Sequence, residues 1–212
     1  MKRLAFITVA LSVIYASVCI AAPEPAIVPL AGQWTVNAAF THPQQILMRS
    51  NPQAKAQRYW YIILTVTNKN GEDLEFFPKC DLMTDTFHIL PAGKGVSPMV
   101  FDLIRQRHLT NYPFLEPLDK TSSKLLQGED NEKDLAVIWP DFDSQAKNIK
   151  IFITGLSNEA AAIKHPVKTD DNGLPVLVFL RKTLELGYSV KGDPMLRADA
   201  DLTYSSKRWI MR

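Results

Sequence analysis

The stretch Tyr59-Trp60-Tyr61-Ile62-Ile63-Leu64-Thr65-Val66-Thr67 decides the fold class. Every residue in it is aromatic, β-branched or leucine, the side chains that suit a pleated surface. At a period of two, Trp60, Ile62, Leu64 and Val66 share one face, and Tyr59, Tyr61, Ile63, Thr65 and Thr67 share the other. Asn68, Asn70 and Gly71 follow with turn chemistry, because Asn and Gly tolerate positive φ, and they predict a hairpin into Leu74–Phe77. Upstream, Trp34, Val36, Ala38 and Phe40 alternate with Thr35, Asn37, Ala39 and Thr41 as a second half-buried strand, which His42 and Pro43 end.

Working outward, Pro78 stops the hairpin's second strand, and residues 82–90 form another extended run. Ser97 and Pro98 read as a cap and first helical position. Val100, Leu103, Ile104 and Arg107 then fall at helical spacing, so a helix is predicted over 98–109, with Arg105, Arg107 and His108 at its end. Residues 128–134 are polar and read as a loop, and residues 135–139 as a buried strand closed by Pro140. Asp143 caps one turn through Ala146. Ile149, Ile151 and Ile153 make another strand, which Gly155 and Asn158 end. Residues 170–175 are a turn, and Val176, Val178, Leu180, Leu184, Leu186 and Tyr188 line a long last strand broken by Lys182. Short strands separated by turns, with one short helix, predict an all-β protein, an immunoglobulin-like antiparallel β-sandwich.

Lys2 and Arg3, the apolar run to Ile20 and the small residues Ala21 and Ala22 before Pro23 have the order of a secretory signal. The expected organisation is a signal peptide at 1–22, one β-sandwich domain at 23–192 and a C-terminal tail at 193–212. An uncleaved membrane anchor is the competing reading of the first segment. Cleavage removes two of the 24 basic residues and leaves 22 against 22 acidic ones, so the expected mature chain is formally neutral. That balance argues against nucleic acid as a partner. Cys19 leaves with the signal, Cys80 then stands alone, and stability must come from packing.

The order of Tyr59-Trp60-Tyr61 through Thr67-Asn68, Gly71-Glu72-Asp73, Trp139-Pro140 through Ala146, and Ile151-Phe152-Ile153-Thr154-Gly155-Leu156 resembles exported bacterial proteins that carry an immunoglobulin-like β-sandwich. The resemblance spans about residues 30–190. It implies a fold and an extracytoplasmic setting, and no activity.

Gly155-Leu156-Ser157 begins like a nucleophile elbow, but Glu159 stands where the second glycine belongs, which favours a plain strand end. His42, His88, His108 and His165 show no pairing at i, i+3 or i+4. Residues 170–173, Asp-Asp-Asn-Gly, gather oxygen donors but suit a hairpin turn better than a calcium loop. Asp141 and Asp143 are candidate paired carboxylates, with capping the favoured reading. Lys207, Arg208 and Trp209 either dock a partner or fold back to bury the Trp.

No catalytic, cofactor or metal residue is therefore assigned. The expected function is a non-enzymatic binding or interaction module of the cell envelope. The alternatives are an exported hydrolase with an Asp/His site assembled in space, and a membrane-anchored structural protein. The candidate binding residues are Tyr59 and Tyr61, which on the face opposite the core would offer flat, hydroxyl-tipped surface to an envelope protein or glycan, with cross-strand packing under the 98–109 helix the favoured reading.

Overall fold

A computed structural model describes residues 26–27, 32–192 and 200–212. The expected signal at 1–22, with Cys19, lies outside them. The chain is mostly β, and its principal sheets are antiparallel. The elements are β1 (Ala26–Ile27), β2 (Asn37–Phe40), β3 (Gln44–Met48), β4 (Gln57–Asn68), β5 (Leu74–Glu75), β6 (Lys79–Thr84) and β7 (Ile89–Pro91). Then come helix α1 (Pro98–His108), β8 (Glu116–Pro117), a 3-10 turn at Leu118–Lys120, β9 (Lys124–Leu125) and β10 (Gly128–Pro140). The chain finishes with β11 (Asn148–Thr154), β12 (Ala160–Thr169), β13 (Pro175–Lys191) and β14 (Asp201–Met211).

One sheet runs β7-β6-β11-β13-β14, with β12 and β1 continuing beside the first half of β13. The other has β4 at its centre, flanked by β10 on one side and by β2 and β3 in succession on the other. The two sheets face each other across one core. Trp60, Ile62, Leu64, Val66, Val137 and Trp139 from the β4 sheet meet Leu82, Ile149, Ile151, Ile153, Leu184, Leu186 and Tyr188. The face assigned to Trp60, Ile62, Leu64 and Val66 thus follows from the alternation.

Helix α1 forms a third layer on the far side of the β4 sheet. Ser97 caps it, its hydroxyl accepting from the Met99 amide at 3.4 Å, with Pro98 at the first position as predicted. Val100 and Ile104 are buried against Ile46, Met48, Ile63, Ala136 and Ile138.

Four expectations need correction. The hairpin from the Tyr59 strand into Leu74–Phe77 does not form. Both edges of β4 are taken by β10 and by β2 and β3, so β5 pairs with β9 instead. The polar residues 128–134 belong to β10, because they form its solvated end, where the register slips between Gly128 and Lys133. Residues 82–90 are two strands, β6 and β7, joined by a turn in which Phe87 has φ +64°.

The fourth concerns the long last strand and the tail at 193–212. Two further strands bracket β13: β12 precedes it, and the tail supplies β14, which pairs with residues 182–191. The β13–β14 ladder shifts register between Gly187 and Tyr188. A Cβ on Gly187 would meet the Ser206 and Ser205 hydroxyls at 2.4 and 2.8 Å, so a larger residue there would force both hydroxyls to turn away.

Candidate functional site

Helix α1 does not cover the whole outer face of the β4 sheet. Between its N-terminal turn, the 3-10 turn and β10 lies a cleft of about 390 Å3, a volume in the range of small-molecule sites. Its floor is Ala136 and Ile138, inner residues of a strand that alternates between the two cores. Val96, Pro98, Phe101 and Pro117 form apolar walls, and Ser97, Asp102, Asp119 and Lys120 stand among the lining residues. Gly93 closes one side with φ +78°, and its amide donates to the Ile138 carbonyl at 2.8 Å.

The charged lining is two carboxylates against one ammonium. Asp102 also lies 4.0 Å from the exposed guanidinium of Arg105, a weak pair in water. The arrangement suits an apolar body with a hydrogen-bonding or cationic head. Ser97 and Asp102 come from the start of α1 and Asp119-Lys120 from the 3-10 turn, and the cleft exists only once helix, turn and strand are packed. No sequence signal marks it.

Tyr59 and Tyr61 do not project into solvent. They are buried, Tyr61 completely, in the layer beneath α1. The alternative of packing under the helix holds, and the expected stacking surface is covered. The reason is amphipathic: α1 needs an apolar face to bury Val100 and Ile104, and the second face of β4 is apolar as well. The Tyr61 hydroxyl donates to Gln44 Oε1 at 2.9 Å, accepts from Arg107 Nη1 at 3.2 Å and sits 2.9 Å from His108 Nε2. With one proton already given to Gln44, it accepts from His108, which places the imidazole proton on Nε2. Burial, and then the neighbouring Arg107 charge, hold the His108 pKa below its ordinary value.

The other candidates are spread over the molecule. Asp141 accepts from Trp60 Nε1 at 2.8 Å and the Phe142 amide at 3.1 Å, and pairs with Arg58 at 3.4 Å. Asp143 caps the following turn by accepting from the Gln145 amide, and lies 3.7 Å from His88. Asp170 accepts from the Asn172 and Leu174 amides in a hairpin turn. Ser157 donates to the Trp34 carbonyl and accepts from the Glu159 amide, as befits a strand end.

Cys80 is buried in the core, and burial followed by the Asp81 charge pushes its thiol pKa well up. Lys207 lies over the Phe40 ring, Arg208 bonds Glu185, and Trp209 remains part-exposed beneath Lys182. His42 sits beside Tyr188 and Tyr204, far along the chain from the other histidines, and His165 accepts from the Val167 and Lys168 amides where the β12 ladder is irregular. Among the described residues no three of His, Cys, Asp and Glu gather closely enough to hold a metal ion.

Compared with known proteins, the chain matches no family model, no curated protein and no solved structure.

Proposed function

We propose that this chain is a non-enzymatic binding module of the cell envelope, exported by residues 1–22, and that the cleft under α1 holds its ligand. The observation that carries the reading is the cleft itself, an apolar recess of about 390 Å3 with Ser97, Asp102, Asp119 and Lys120 in its lining. Its excess of carboxylate favours a small molecule with an apolar body and a cationic head. The immunoglobulin-like kinship belongs to the same proposal, supported by two sheets packed over a core that contains Trp60 and Trp139.

Protein-observed heteronuclear NMR titration with paired aryl-amine and aryl-carboxylate fragments tests it. The amines are expected to bind saturably, shifting Val96, Phe101 and Ile138, and Asp119→Lys should turn the preference toward the carboxylates. No saturable shift, or the same preference in Asp119→Lys, would overturn the assignment. Export is checked separately by intact mass, which should lack residues 1–22. A membrane-bound chain that keeps Met1 would replace export with anchoring.

A further inference from the structure

Leu184, Leu186 and Tyr188 of β13 face the core, so Glu185, Gly187 and Ser189 belong to the outer face of the β7-β6-β11-β13-β14 sheet. Side chains on that face stand in cross-strand rows. One row is Lys150, Gly187 and Ser206, and the next is Asp81, Phe152, Glu185 and Arg208. On the other side of the first row are Asn148, Ser189 and Thr203. At the register shift Ser205 and Ser206 together oppose Gly187, in the manner of a β-bulge. Both hydroxyls lie where the glycine lacks a side chain, 2.4 and 2.8 Å from the point a Cβ would occupy. Among the described residues neither hydroxyl has a hydrogen-bond partner.

Glu185 holds two cations beside these hydroxyls. Its buried carboxylate accepts from Arg208 Nε at 2.8 Å and lies 3.5 Å from Lys150 Nζ. Burial works against its charge, but the Arg208 hydrogen bond and the Lys150 charge outweigh that and hold its pKa below the ordinary carboxylate value. One carboxylate thus meets two cations, and the cluster keeps a net positive charge. Both cations remain open to solvent, with side-chain exposures of 50% for Lys150 and 59% for Arg208. Arg208 gives Glu185 only its Nε, which leaves both Nη groups for a ligand. Arg212 adds nothing to this, because it is paired with Asp81 at 3.2 Å and stacked over the Phe152 ring.

We propose that the cluster over Gly187 binds the sulfate or phosphate ester of a sugar. Lys150 and Ser206 flank the glycine from β11 and β14, whose backbones lie about 10 Å apart at the usual strand spacing, and Arg208 stands one row along. Donors arriving from three sides suit a tetrahedral oxyanion, and bonds from charged donors are the strong ones. The row of Asn148, Ser189 and Thr203, about 7 Å further along the strands, offers an amide and hydroxyls to the sugar that carries the ester. Other carriers of the same group fit less well. The Phe152 ring is buried beneath Arg212, so these rows present no aromatic face on which a nucleotide base could stack. Ile89, the exposed large apolar side chain of this face, stands three strands away on β7, so the cluster has no apolar group to insert into lipid. The site lies on the opposite side of the sandwich from the cleft under α1 and stands whether or not that cleft holds a ligand.

Titrating the purified chain with glucose 6-sulfate, glucose 6-phosphate, glucose and inorganic sulfate, followed by amide NMR shifts, tests the site. Both esters are expected to shift Gly187, Ser205 and Ser206 saturably, glucose to shift none of them, and inorganic sulfate to bind at least about threefold more weakly than glucose 6-sulfate for want of the sugar's hydrogen bonds. Gly187→Ala places a methyl where the two hydroxyls lie and should weaken both esters at least about tenfold. Its melting temperature should not fall, since alanine suits a strand at least as well as glycine. The double variant Ser205→Ala/Ser206→Ala removes the same donors without touching β13, and decides the matter should Gly187→Ala melt early. No saturable shift with either ester, or ester binding that survives the double variant, would overturn the site. Inorganic sulfate binding as tightly as glucose 6-sulfate would overturn the sugar, and pelleting with phosphatidylglycerol vesicles that Gly187→Ala abolishes would give the cluster to lipid instead.

Discussion

Replacing Tyr61 by Ser and, separately, by Phe divides the ring's contribution from the hydroxyl's. The ring is fully buried beneath α1 and meets His108 edge-on, with centroids 5.7 Å apart. Removing a buried aromatic ring costs about 3–5 kcal/mol. The hydroxyl alone leaves Gln44 without its donor and frees Arg107 and His108, which lie near enough to the surface to take water instead, so Tyr61→Phe should cost about 1 kcal/mol. For a domain of this length each kcal/mol moves the melting temperature by about 2–4 °C. Tyr61→Phe is therefore expected to melt about 2–4 °C below wild type, and Tyr61→Ser about 6–20 °C below. Thermal unfolding followed by near- and far-ultraviolet dichroism reads both. A Tyr61→Ser protein melting within about 2 °C of wild type would refute the packing of α1 on this face and return the tyrosines to the surface.

Gly155→Ala should lose at least about 2 kcal/mol in urea unfolding, since its φ is +88° and the added Cβ would stand 2.6 Å from the Phe77 carbonyl oxygen; an unchanged midpoint would contradict that close approach. Asp141→Ala should cost about 2–3 kcal/mol, because it strips the Trp60 indole of its acceptor and Arg58 of its counter-charge. A loss under 0.5 kcal/mol, on the order of a surface substitution, would show that the carboxylate is free for other work. His108 gives up its proton more readily folded than unfolded, so the unfolded chain binds more protons between the lowered folded pKa and the ordinary 6.5. Stability from this group is full above 6.5 and is lost as pH falls from 6.5 to the folded value, with no further loss from it below. His108→Gln should flatten that part of the stability profile, and an unaltered slope would rule the group out.

Local pattern was sufficient where one residue type dictates one geometry. The alternation in β4 identified the core face, Ser97-Pro98 marked the start of α1, and residues 170–175 showed their turn. These depend on side-chain period, capping and φ preference, which act over a few residues. The choice of strand partner is not local. Residues 74–77 follow a good turn, yet pair elsewhere, because β10 arrives from some 70 residues away to occupy the edge of β4.

The same distinction governs the functional surfaces. An apolar second face on β4 could as well meet ligand as helix, and only the packing of α1 decided in favour of helix. The cleft is space left over between that helix and β10. Sequence by itself settled which residues are apolar and at what period they recur. What covers them was decided by tertiary structure, because a strand's backbone and side chains specify the chemistry of a neighbour while chain connectivity and packing select it.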